Sequence, residues 1–545
     1  MHTASLLTLG SMQLTFAVLT QAIKPSLFLP TPPMGFNNWA RFECDLNQTL
    51  FTSTADAMVQ FNLLAVGYNR VNIDDCWMAY QRAANGSLQW NTTLFPDGLP
   101  YLANYLHAHG FHFGIYEDAG TETCGGYPGS LGYEKLDALT FASWGIDYLK
   151  LDGCNVPRQA GFTSAETYKS IYGNWHKIFT NMTHPLIFSE SAPAYFSGMA
   201  NLSDWYTVMD WVPAYGQLAR HSDDVATYGS GESSWKSILT NYGQEVLVAR
   251  YQRPGYFNDP DFLIPDWPDL TIDEKRSQFA LWASFSAPLI ISAHIPNLTA
   301  IELDYLTNTD LIAVDQDRLA LQATLVSQDG TWDVLTKSLE NGDRLLTVLN
   351  RGNTSANYSV NLARLGFQPQ KTASCTSLVK DLWSGQTIES SSESIDISSV
   401  PPHGTAVFRI SPKSCGEVVP TGMFFNTKSL DCLRAAEDNS VSLGACDGTD
   451  EQVWQVKSDG SIRSLANSSL CLAAGLKAGG IVVMTTCQSS TATQQWKYYQ
   501  SGNVVNAFFG NCLTEVGGGS LGTASCQHEA NSQVFGLPSG VKVLY

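Results

Sequence analysis

The chain contains the stretch Tyr148-Leu-Lys-Leu-Asp-Gly-Cys154, which reads as a short apolar strand ending on an acid, a glycine and a cysteine. Lys150 and Asp152 alternate with leucines, so in a strand both polar side chains project to the same side. A buried Lys–Asp pair is costly unless it has a partner or a task. The carboxyl end of a strand is also where α/β barrels carry their chemistry, so this stretch predicts a barrel with a polar site.

Other stretches repeat this pattern of a β-branched or aromatic run that closes on carboxylates. They occupy residues 71–76, 113–118, 186–190 and 255–261. Amphipathic segments predict helices between and after these strands, at residues 53–67, 99–109, 133–144, 165–181, 234–244 and 272–285. Alternating strands and helices predict a parallel sheet. About eight such units between residues 27 and 318 predict a (β/α)8 TIM barrel.

The sequence period changes to two near residue 319. Residues 332–338, 344–350 and 405–410 alternate apolar and polar side chains, which predicts antiparallel strands joined by polar turns. We therefore expect an antiparallel β-sandwich over residues 319–414.

A repeat of about forty residues fills the last section, residues 420–545. Each copy begins with Cys-Leu, continues to a second cysteine, and ends in Gln-x-Trp or Gln-Val-Phe. Three short β units that cannot each bury a core predict a threefold β-trefoil. Each copy is expected to close its own disulfide, namely Cys432–Cys446, Cys471–Cys487 and Cys512–Cys526.

Composition excludes some partners. The chain has 545 residues, a net charge of −19 and only 15% charged residues. This acidic balance argues against nucleic acid, which requires a basic surface. An apolar stretch over residues 4–19 predicts a signal peptide within residues 1–22, and no other segment is long and apolar enough to span a membrane.

Two further features predict a secreted, extracellular glycoprotein. Twelve cysteines without zinc-type spacing favour disulfides over a metal site. Candidate N-glycosylation sequons begin at Asn47, Asn85, Asn91, Asn181, Asn201, Asn297, Asn353, Asn357 and Asn467.

Paired carboxylates in a lightly charged cleft are typical of glycosidic bond cleavage, in which one carboxylate attacks and the other transfers a proton. Asp152 is the better candidate nucleophile because Lys150 on the same face favours its ionised form. The alternative is a structural Lys–Asp pair. The second carboxylate lies in residues 220–224, after a strand-like segment at residues 206–212. By pattern Asp223 and Asp224 are equal candidates, and a solvated loop is the alternative.

Five ordered motifs resemble glycoside hydrolase family 27, the family of α-galactosidases and α-N-acetylgalactosaminidases. They are Pro33-Met-Gly-Phe-Asn-Asn-Trp39, Asn72-Ile-Asp-Asp-Cys-Trp77, Phe113-Gly-Ile-Tyr116, the opening stretch ending at Cys154, and Asn258-Asp-Pro-Asp261. The resemblance covers residues 27–412. The terminal repeat is similar to ricin-type β-trefoils of carbohydrate-binding module family 13.

The resemblance implies a retaining enzyme that removes terminal α-D-galactose from galacto-oligosaccharides, galactomannans or galactolipids without a cofactor. It makes Asp152 the nucleophile and Asp224, four residues after Arg220, the acid/base. Asp74 and Asp75 would accept hydrogen bonds from O6 and O4 of the sugar. The implied substrate-binding set is Trp39, Asp74, Asp75, Tyr116, Lys150, Glu190, Arg220 and Asp261. The implied barrel disulfides are Cys44–Cys76 and Cys124–Cys154.

Substrate choice depends on the segment after the fifth strand. In galactose-specific members a glutamate faces O2 of the sugar, and Glu190 is assigned to that position. Ala194 and Tyr195 also resemble the acetamido-tolerant form after a one-residue insertion. The alternatives are therefore an α-N-acetylgalactosaminidase, a β-L-arabinopyranosidase, or a secreted lectin without catalysis.

The trefoil departs from its family at its sugar positions. The aspartate that usually follows Cys-Leu is replaced by Arg434, Ala473 and Thr514. We therefore expect the fold of a lectin in this region, while sugar binding by it stays open.

Overall fold

The computed structural model describes residues 28–198, 202–368, 376–413, 415, 418–475, 479–489, 491–528 and 530–545. The predicted signal peptide (1–22) and the Asn201 sequon lie outside these residues. No helix in the described ranges is long and apolar enough to cross a bilayer.

Eight parallel strands form the first unit. In chain order they are β1 Met34–Asn37, β2 Arg70–Asn72, β3 His112–Asp118, β4 Tyr148–Asp152, β5 Ile187–Glu190, β6 Leu218–Arg220, β7 Phe257–Asp259 and β8 Leu289–Ile291. Their spatial order is β7-β6-β5-β4-β3-β2-β1-β8. Leu263, just beyond β7, pairs in parallel with Ile291 of β8 and closes the ring. The predicted TIM barrel is confirmed.

Helices cover the outside of this barrel. They are α1 Trp39–Phe42, α2 Gln48–Gln60, α3 Leu99–Ala108, α4 Glu134–Trp144, α5 Ser164–Thr180, α6 Ala194–Ser197, α7 Ser203–Tyr215, α8 Ser234–Glu245, α9 Ile272–Phe285, α10 Ala300–Leu306 and α11 Thr309–Asp315. Capping boxes begin α5, α9 and α10, where a threonine and a glutamate three residues later satisfy the first free N–H groups. Five helices end within two residues of the predicted positions. The first begins earlier than predicted because the Asn47 side chain caps it at Leu50 N.

The strand expected at residues 206–212 is wrong, because these residues lie inside α7. Trp205, Val208, Met209 and Val212 are all buried, and their spacing is that of one helical face. Aromatic and β-branched residues dominate this segment, so their strand propensity hid the helical period.

Strand register decides which side chains enter the barrel lumen. Tyr116 of β3 is level with Lys150 of β4, and Lys150 is level with Ser189 of β5. Neighbours at one level of a parallel sheet project to the same side. These side chains therefore share the lumen, whereas Leu151 and its partner Glu190 project toward the outer helices. Gly114 leaves room in the lumen: a Cβ there would lie 2.0 Å from Oδ1 of Asn72.

An antiparallel sandwich follows the barrel. Its strands are β9 Thr324–Gln328, β10 Trp332–Ser338, β11 Arg344–Asn350, β12 Ala356–Asn361, β13 Ser377–Asp381, β14 Thr387–Ser390, β15 Ser394–Val400 and β16 Thr405–Pro412. Six form one sheet in the order β14-β13-β16-β11-β10-β9, and β12 pairs with β15. A separate apolar core that includes Val334, Val348 and Ile410 lies between the two layers.

Short antiparallel strands build the terminal unit. They are β17 Thr421–Met423, β18 Phe425–Asn426, β19 Cys432–Ala435, β20 Val441–Gly444, β21 Val453–Val456, β22 Ile462–Ser464, β23 Leu470–Ala473, β24 Val483–Thr486, β25 Trp496–Tyr499, β26 Val504–Asn506, β27 Cys512–Gly517, β28 Ser520–Ala524, β29 Phe535–Gly536 and β30 Val543–Leu544. Each of the three repeats closes a disulfide, at the pairs Cys432–Cys446, Cys471–Cys487 and Cys512–Cys526. Trp454 and Trp496 of the Gln-x-Trp motifs are buried in a shared core. These tryptophans therefore support the fold and do not face solvent.

The terminal unit docks on the barrel through a buried arginine. Arg250, which follows α8, donates from Nε to the carbonyl of Gln500 in the terminal unit at 2.8 Å. Its other nitrogens bond Leu247 O at 2.7 Å and the Tyr251 hydroxyl at 2.9 Å. Arg250 is only 4% exposed, so these acceptors replace water entirely. The contact between the barrel and the terminal unit is therefore desolvated at Arg250.

Replacing this arginine tests whether the terminal unit stabilises the barrel. We expect Arg250→Met to destabilise the protein by about 3 kcal/mol, because three buried acceptors lose a charged donor. Unfolding in denaturant, followed by tryptophan fluorescence, measures the change. The control is Arg253→Met, which removes bonds to Gln500 Oε1 and Pro213 O at a half-buried position. We expect that loss to be below about 1 kcal/mol, and equal losses in the two variants would contradict the assignment.

Candidate active site

A buried ammonium group lies at the floor of the site. Lys150 Nζ donates to Asp74 Oδ2 at 2.7 Å, and Asn37 Nδ2 donates to the same oxygen at 2.8 Å. Burial alone would lower the pKa of Lys150, but the carboxylates of Asp74, Asp152 and Asp224 raise it above its ordinary value. The lysine therefore stays charged, and it bonds Asp74 where the sequence suggested a pair with Asp152.

Asp75 is held beside Asp74 by backbone donors. Its carboxylate accepts Gly125 N at 2.7 Å and Cys76 N at 2.6 Å. Burial raises its pKa, while these hydrogen bonds oppose that rise. The disulfide Cys44–Cys76 joins this turn to the loop after β1. Two acceptor side chains thus lie at fixed positions for hydroxyl groups of a ligand.

Asp152 ends β4 with one oxygen occupied. Tyr195 donates its hydroxyl proton to Asp152 Oδ1 at 2.5 Å, and Gly153 N donates to the same oxygen at 2.9 Å. Burial and the charge of Asp152 raise the pKa of Tyr195, so the phenol keeps its proton. Within the described part of the chain, no donor bonds Oδ2. That oxygen is free to react.

Asp224 lies in the loop after β6, and its charge, like that of Asp152, acts on Lys150. Arg220 Nη2 donates to Asp224 Oδ1 at 2.8 Å and Nη1 pairs with Asp261 Oδ1 at 2.9 Å. The Trp39 side chain also bonds Asp224. Burial opposes ionisation, but the charges of Arg220 and Lys150 outweigh it and hold the pKa of Asp224 below its ordinary value.

Asp223 differs from its neighbour in its contacts. Only its backbone carbonyl bonds Arg220, at 3.0 Å, and its side chain is exposed. The carboxylate directed at Arg220 is therefore that of Asp224.

Asp261 completes the arginine contacts from the loop after β7. Its Oδ2 accepts Val225 N at 2.7 Å and thereby fixes the backbone directly after Asp224. Burial raises its pKa to about 7, although Arg220 acts in the opposite direction. Tyr116 is buried beneath the site, with its ring 5.2 Å from Lys150 Nζ.

Glu190 does not enter the site, and its predicted role is wrong. It is level with Leu151 and is completely buried, with neither carboxylate oxygen bonded to any described group. A Cβ at Gly216 would lie 2.4 Å from its Oε1, which places the carboxyl against the start of β6. Burial raises its pKa well above the ordinary value.

Ser191 takes the place assigned to Glu190. Its backbone N–H bonds Leu151 O at 3.0 Å, so the ladder continues and brings Ser191 level with Asp152. Its hydroxyl is buried and bonds no described group. Alternation along the strand directs this hydroxyl to the lumen side, at the level of Asp152.

Two residues near Asp152 were not included in the predicted site. Tyr195 lies in the short helix α6, just beyond β5, and only the fold brings it to Asp152. Asp118 is level with Asp152 and accepts Gly120 N at 2.6 Å and Cys154 N at 2.8 Å. Burial and the charge of Asp152 raise the pKa of Asp118 to about 8. Its strand shows the same run of apolar residues closing on carboxylates as β4, and this pattern is the sequence signal that could have marked Asp118.

The disulfide Cys124–Cys154 fixes the loop beside Asp152. Tyr195 also contacts this bridge, with its hydroxyl 3.2 Å from Cys154 Sγ. The turn after Asp152 is therefore held by a covalent bond as well as by hydrogen bonds.

The replaced sugar positions of the trefoil are occupied by protein contacts. Arg434 pairs with Asp447, and Thr514 Oγ1 accepts Gln533 Nε2 at 3.0 Å. These side chains are thus already engaged in two of the three repeats.

Family comparisons agree with this geometry. The family described as "Alpha galactosidase A" matches residues 31–317, more than half of the chain. The chain belongs to glycoside hydrolase family 27. "Alpha galactosidase C-terminal beta sandwich domain" matches residues 329–410, and "Ricin-type beta-trefoil lectin domain" matches residues 420–535.

Individual family 27 relatives extend this result. An Aspergillus niger protein named "Alpha-galactosidase A" is 59% identical over 95% of this chain and 94% of its own length. An Arabidopsis thaliana "Alpha-galactosidase 2" is 36% identical over 66% of this chain and 84% of its own. The crystal structure of α-galactosidase I from Mortierella vinacea superposes with a TM-score of 0.63 at 27% identity, covering 70% of this chain and 97% of that one.

Removing the Tyr195 hydroxyl tests its contact with Asp152. We expect Tyr195→Phe to lower kcat on an aryl α-galactoside about tenfold, because the carboxylate loses a charge-assisted bond of about 1.5 kcal/mol. Inhibition by galactose should change little, since Asp74 and Asp75 are untouched. Steady-state kinetics measure both quantities. The control, Tyr168→Phe, removes a neighbouring hydroxyl that bonds only Gly153 O. A larger loss in the control than in Tyr195→Phe would contradict the assignment.

Proposed function

We propose that the protein is a retaining α-galactosidase that hydrolyses terminal α-D-galactose from galacto-oligosaccharides, galactomannans or galactolipids. The observation that carries this proposal is the arrangement of Asp152 and Asp224 about Lys150. One carboxylate has a free oxygen, and the other is held by an arginine in the facing loop. Family membership supplies the substrate class.

The first chemical step forms a covalent intermediate. Asp152 Oδ2 attacks the anomeric carbon while protonated Asp224 gives its proton to the departing oxygen, which breaks the glycosidic bond. Asp152 then carries the galactosyl group as an ester. Tyr195 and Gly153 keep the second oxygen in place during the attack.

The second step reverses these roles. Asp224, now ionised, takes a proton from water, and the water oxygen attacks the anomeric carbon and releases Asp152. Arg220 and Lys150 lower the pKa of Asp224, so its acid form is populated only as the pH falls. An acidic working range follows, and two carboxylates suffice for the cycle.

Binding of the sugar falls to the remaining predicted residues. Asp74 and Asp75 would accept hydrogen bonds from sugar hydroxyl groups, and Lys150 and Arg220 would donate hydrogen bonds to sugar oxygens. Trp39 would form an apolar wall against the sugar. Tyr116 and Asp261 support Lys150 and Arg220 from behind.

We also propose that the protein is secreted. The five disulfides described above favour an oxidising compartment. Eight of the nine sequon asparagines lie in described segments. Seven of these are exposed, and Asn91 is half-buried. Galactose-containing carbohydrates are the proposed partners of the whole chain.

Release of p-nitrophenol from p-nitrophenyl α-D-galactopyranoside at acid pH tests the activity. We expect Asp152→Asn to lower kcat by about three orders of magnitude or more, because the nucleophile is lost. Proton NMR of the first product should show the α-anomer. The matched control is Asp223→Asn, which should retain activity. Release of the β-anomer, or an active Asp152→Asn protein, would refute the mechanism.

A second activity is favoured by the position of Ser191. The side chain at the level of Asp152 is the small Ser191 side chain, and Glu190 lies on the outer side of the sheet. A pocket without a glutamate beside C2 of the sugar has room for an acetamido group. We therefore propose that N-acetyl-α-D-galactosaminides are also hydrolysed.

Neighbouring substitutions on opposite faces of β5 test this second activity. Ser191→Glu should lower kcat/KM on p-nitrophenyl N-acetyl-α-D-galactosaminide at least about tenfold relative to the galactoside, because its longer side chain fills the acetamido space. Glu190→Gln should leave the ratio unchanged. If Glu190→Gln changes this ratio of kcat/KM values and Ser191→Glu does not, Glu190 is the residue that faces O2 of the sugar, as the family resemblance implied.

A further inference from the structure

Tyr228 is a partly exposed aromatic side chain at the carboxyl end of the barrel. It lies four residues after Asp224, in the loop between β6 and α8, and is 40% exposed. Neither of the two chemical steps above uses it. A large ring open to solvent beside the acid/base carboxylate is a candidate ligand contact.

The loop backbone holds Tyr228 close to Asp224. The Trp39 side chain bonds Asp224, and the next residue, Ala40, accepts Tyr228 N through its carbonyl at 2.8 Å. Adjacent residues of a chain have Cα atoms only about 3.8 Å apart. Both ends of the segment 224–228 are therefore anchored on the first turn of α1.

The ring itself is fixed from one side. The Arg41 guanidinium lies 3.6 Å from the ring centroid, and its Nε bonds Asp266 at 2.8 Å. Trp267 packs nearly perpendicular to the ring at 5.3 Å. A ring held by these contacts loses little entropy when a ligand covers its open surface.

The segment beyond Tyr228 leaves that surface uncovered. Gly229 and Gly231 have positive φ angles of 81° and 80°, and a side chain at either position would meet only open space. Neither glycine has a side chain that could cover the ring, which stays 40% exposed.

We infer that Tyr228 forms a binding subsite for the neutral sugar that departs with the glycosidic oxygen. This inference rests on the proposed function, in which Asp224 protonates that oxygen. The departing sugar must lie beside Asp224, and the Tyr228 ring is the exposed aromatic surface in the same loop. The C–H face of a pyranose packs on an aromatic ring, so the ligand class is a galactoside whose leaving group is itself a sugar.

A second exposed tyrosine on this end of the barrel provides a matched comparison. Tyr80 is 72% exposed and stacks on Tyr127 with centroids 4.6 Å apart. It lies five residues after Asp75, and Gly125, two residues before Tyr127, bonds that carboxylate. This pair lies beside the residues assigned to O4 and O6, away from the departing group.

The test compares two leaving groups in the full-length enzyme. α-D-Galactosyl fluoride releases fluoride, whereas melibiose releases glucose through the same galactosyl-enzyme. We expect Tyr228→Ala to lower kcat/KM on melibiose about tenfold and to change it less than about twofold on the fluoride. Tyr228→Phe should retain both rates because the ring is kept, and Tyr80→Ala should leave the ratio of the two substrates unchanged.

Other results overturn the inference. An equal loss on both substrates would show that Tyr228 acts only through the position of Asp224. No loss on melibiose would show that the departing sugar does not touch the ring, and a selective loss in Tyr80→Ala would place the subsite beside Asp75. Failure of the unmodified enzyme to hydrolyse the fluoride would instead refute the proposed function, so the two ideas fail separately.

Discussion

The charge of Lys150 inside the barrel is the constraint around which the site is built. An ammonium group removed from water is costly unless anionic partners surround it. Asp74 supplies the direct bond, while Asp152 at the end of the same strand as Lys150 and Asp224 in the loop after β6 add their charges. Together with Arg220, the same lysine holds the pKa of Asp224 below its ordinary value. Stability and chemistry thus depend on one cluster of charges.

Strand register distributes the remaining side chains about this cluster. A shift of one residue reverses the face of every side chain in a strand. Ser191 therefore faces the pocket, and its neighbour Glu190 is buried behind the sheet. The size of the side chain beside Asp152 follows from this alternation.

The terminal trefoil contributes to the protein in a different way from a detachable lectin. Its sugar positions carry Arg434 and Thr514, which are engaged by Asp447 and Gln533. Its Gln500 carbonyl satisfies the buried Arg250 of the barrel. The repeat has the disulfides and core tryptophans that maintain its fold, and its contact with the barrel is desolvated.

The sequence by itself determined the three units, because alternating βα segments, a period of two and a forty-residue repeat each specify an architecture through local periodicity. It also marked Asp74, Asp75 and Asp152 by their positions at strand ends. Only the tertiary structure decided that Lys150 bonds Asp74, that Tyr195 reaches Asp152, and that Glu190 faces outward. Those facts depend on register between strands and on contacts between distant loops, which local pattern does not encode. Helix α7 was missed for a related reason, since buried aromatic residues have strand propensity and only packing revealed their helical spacing.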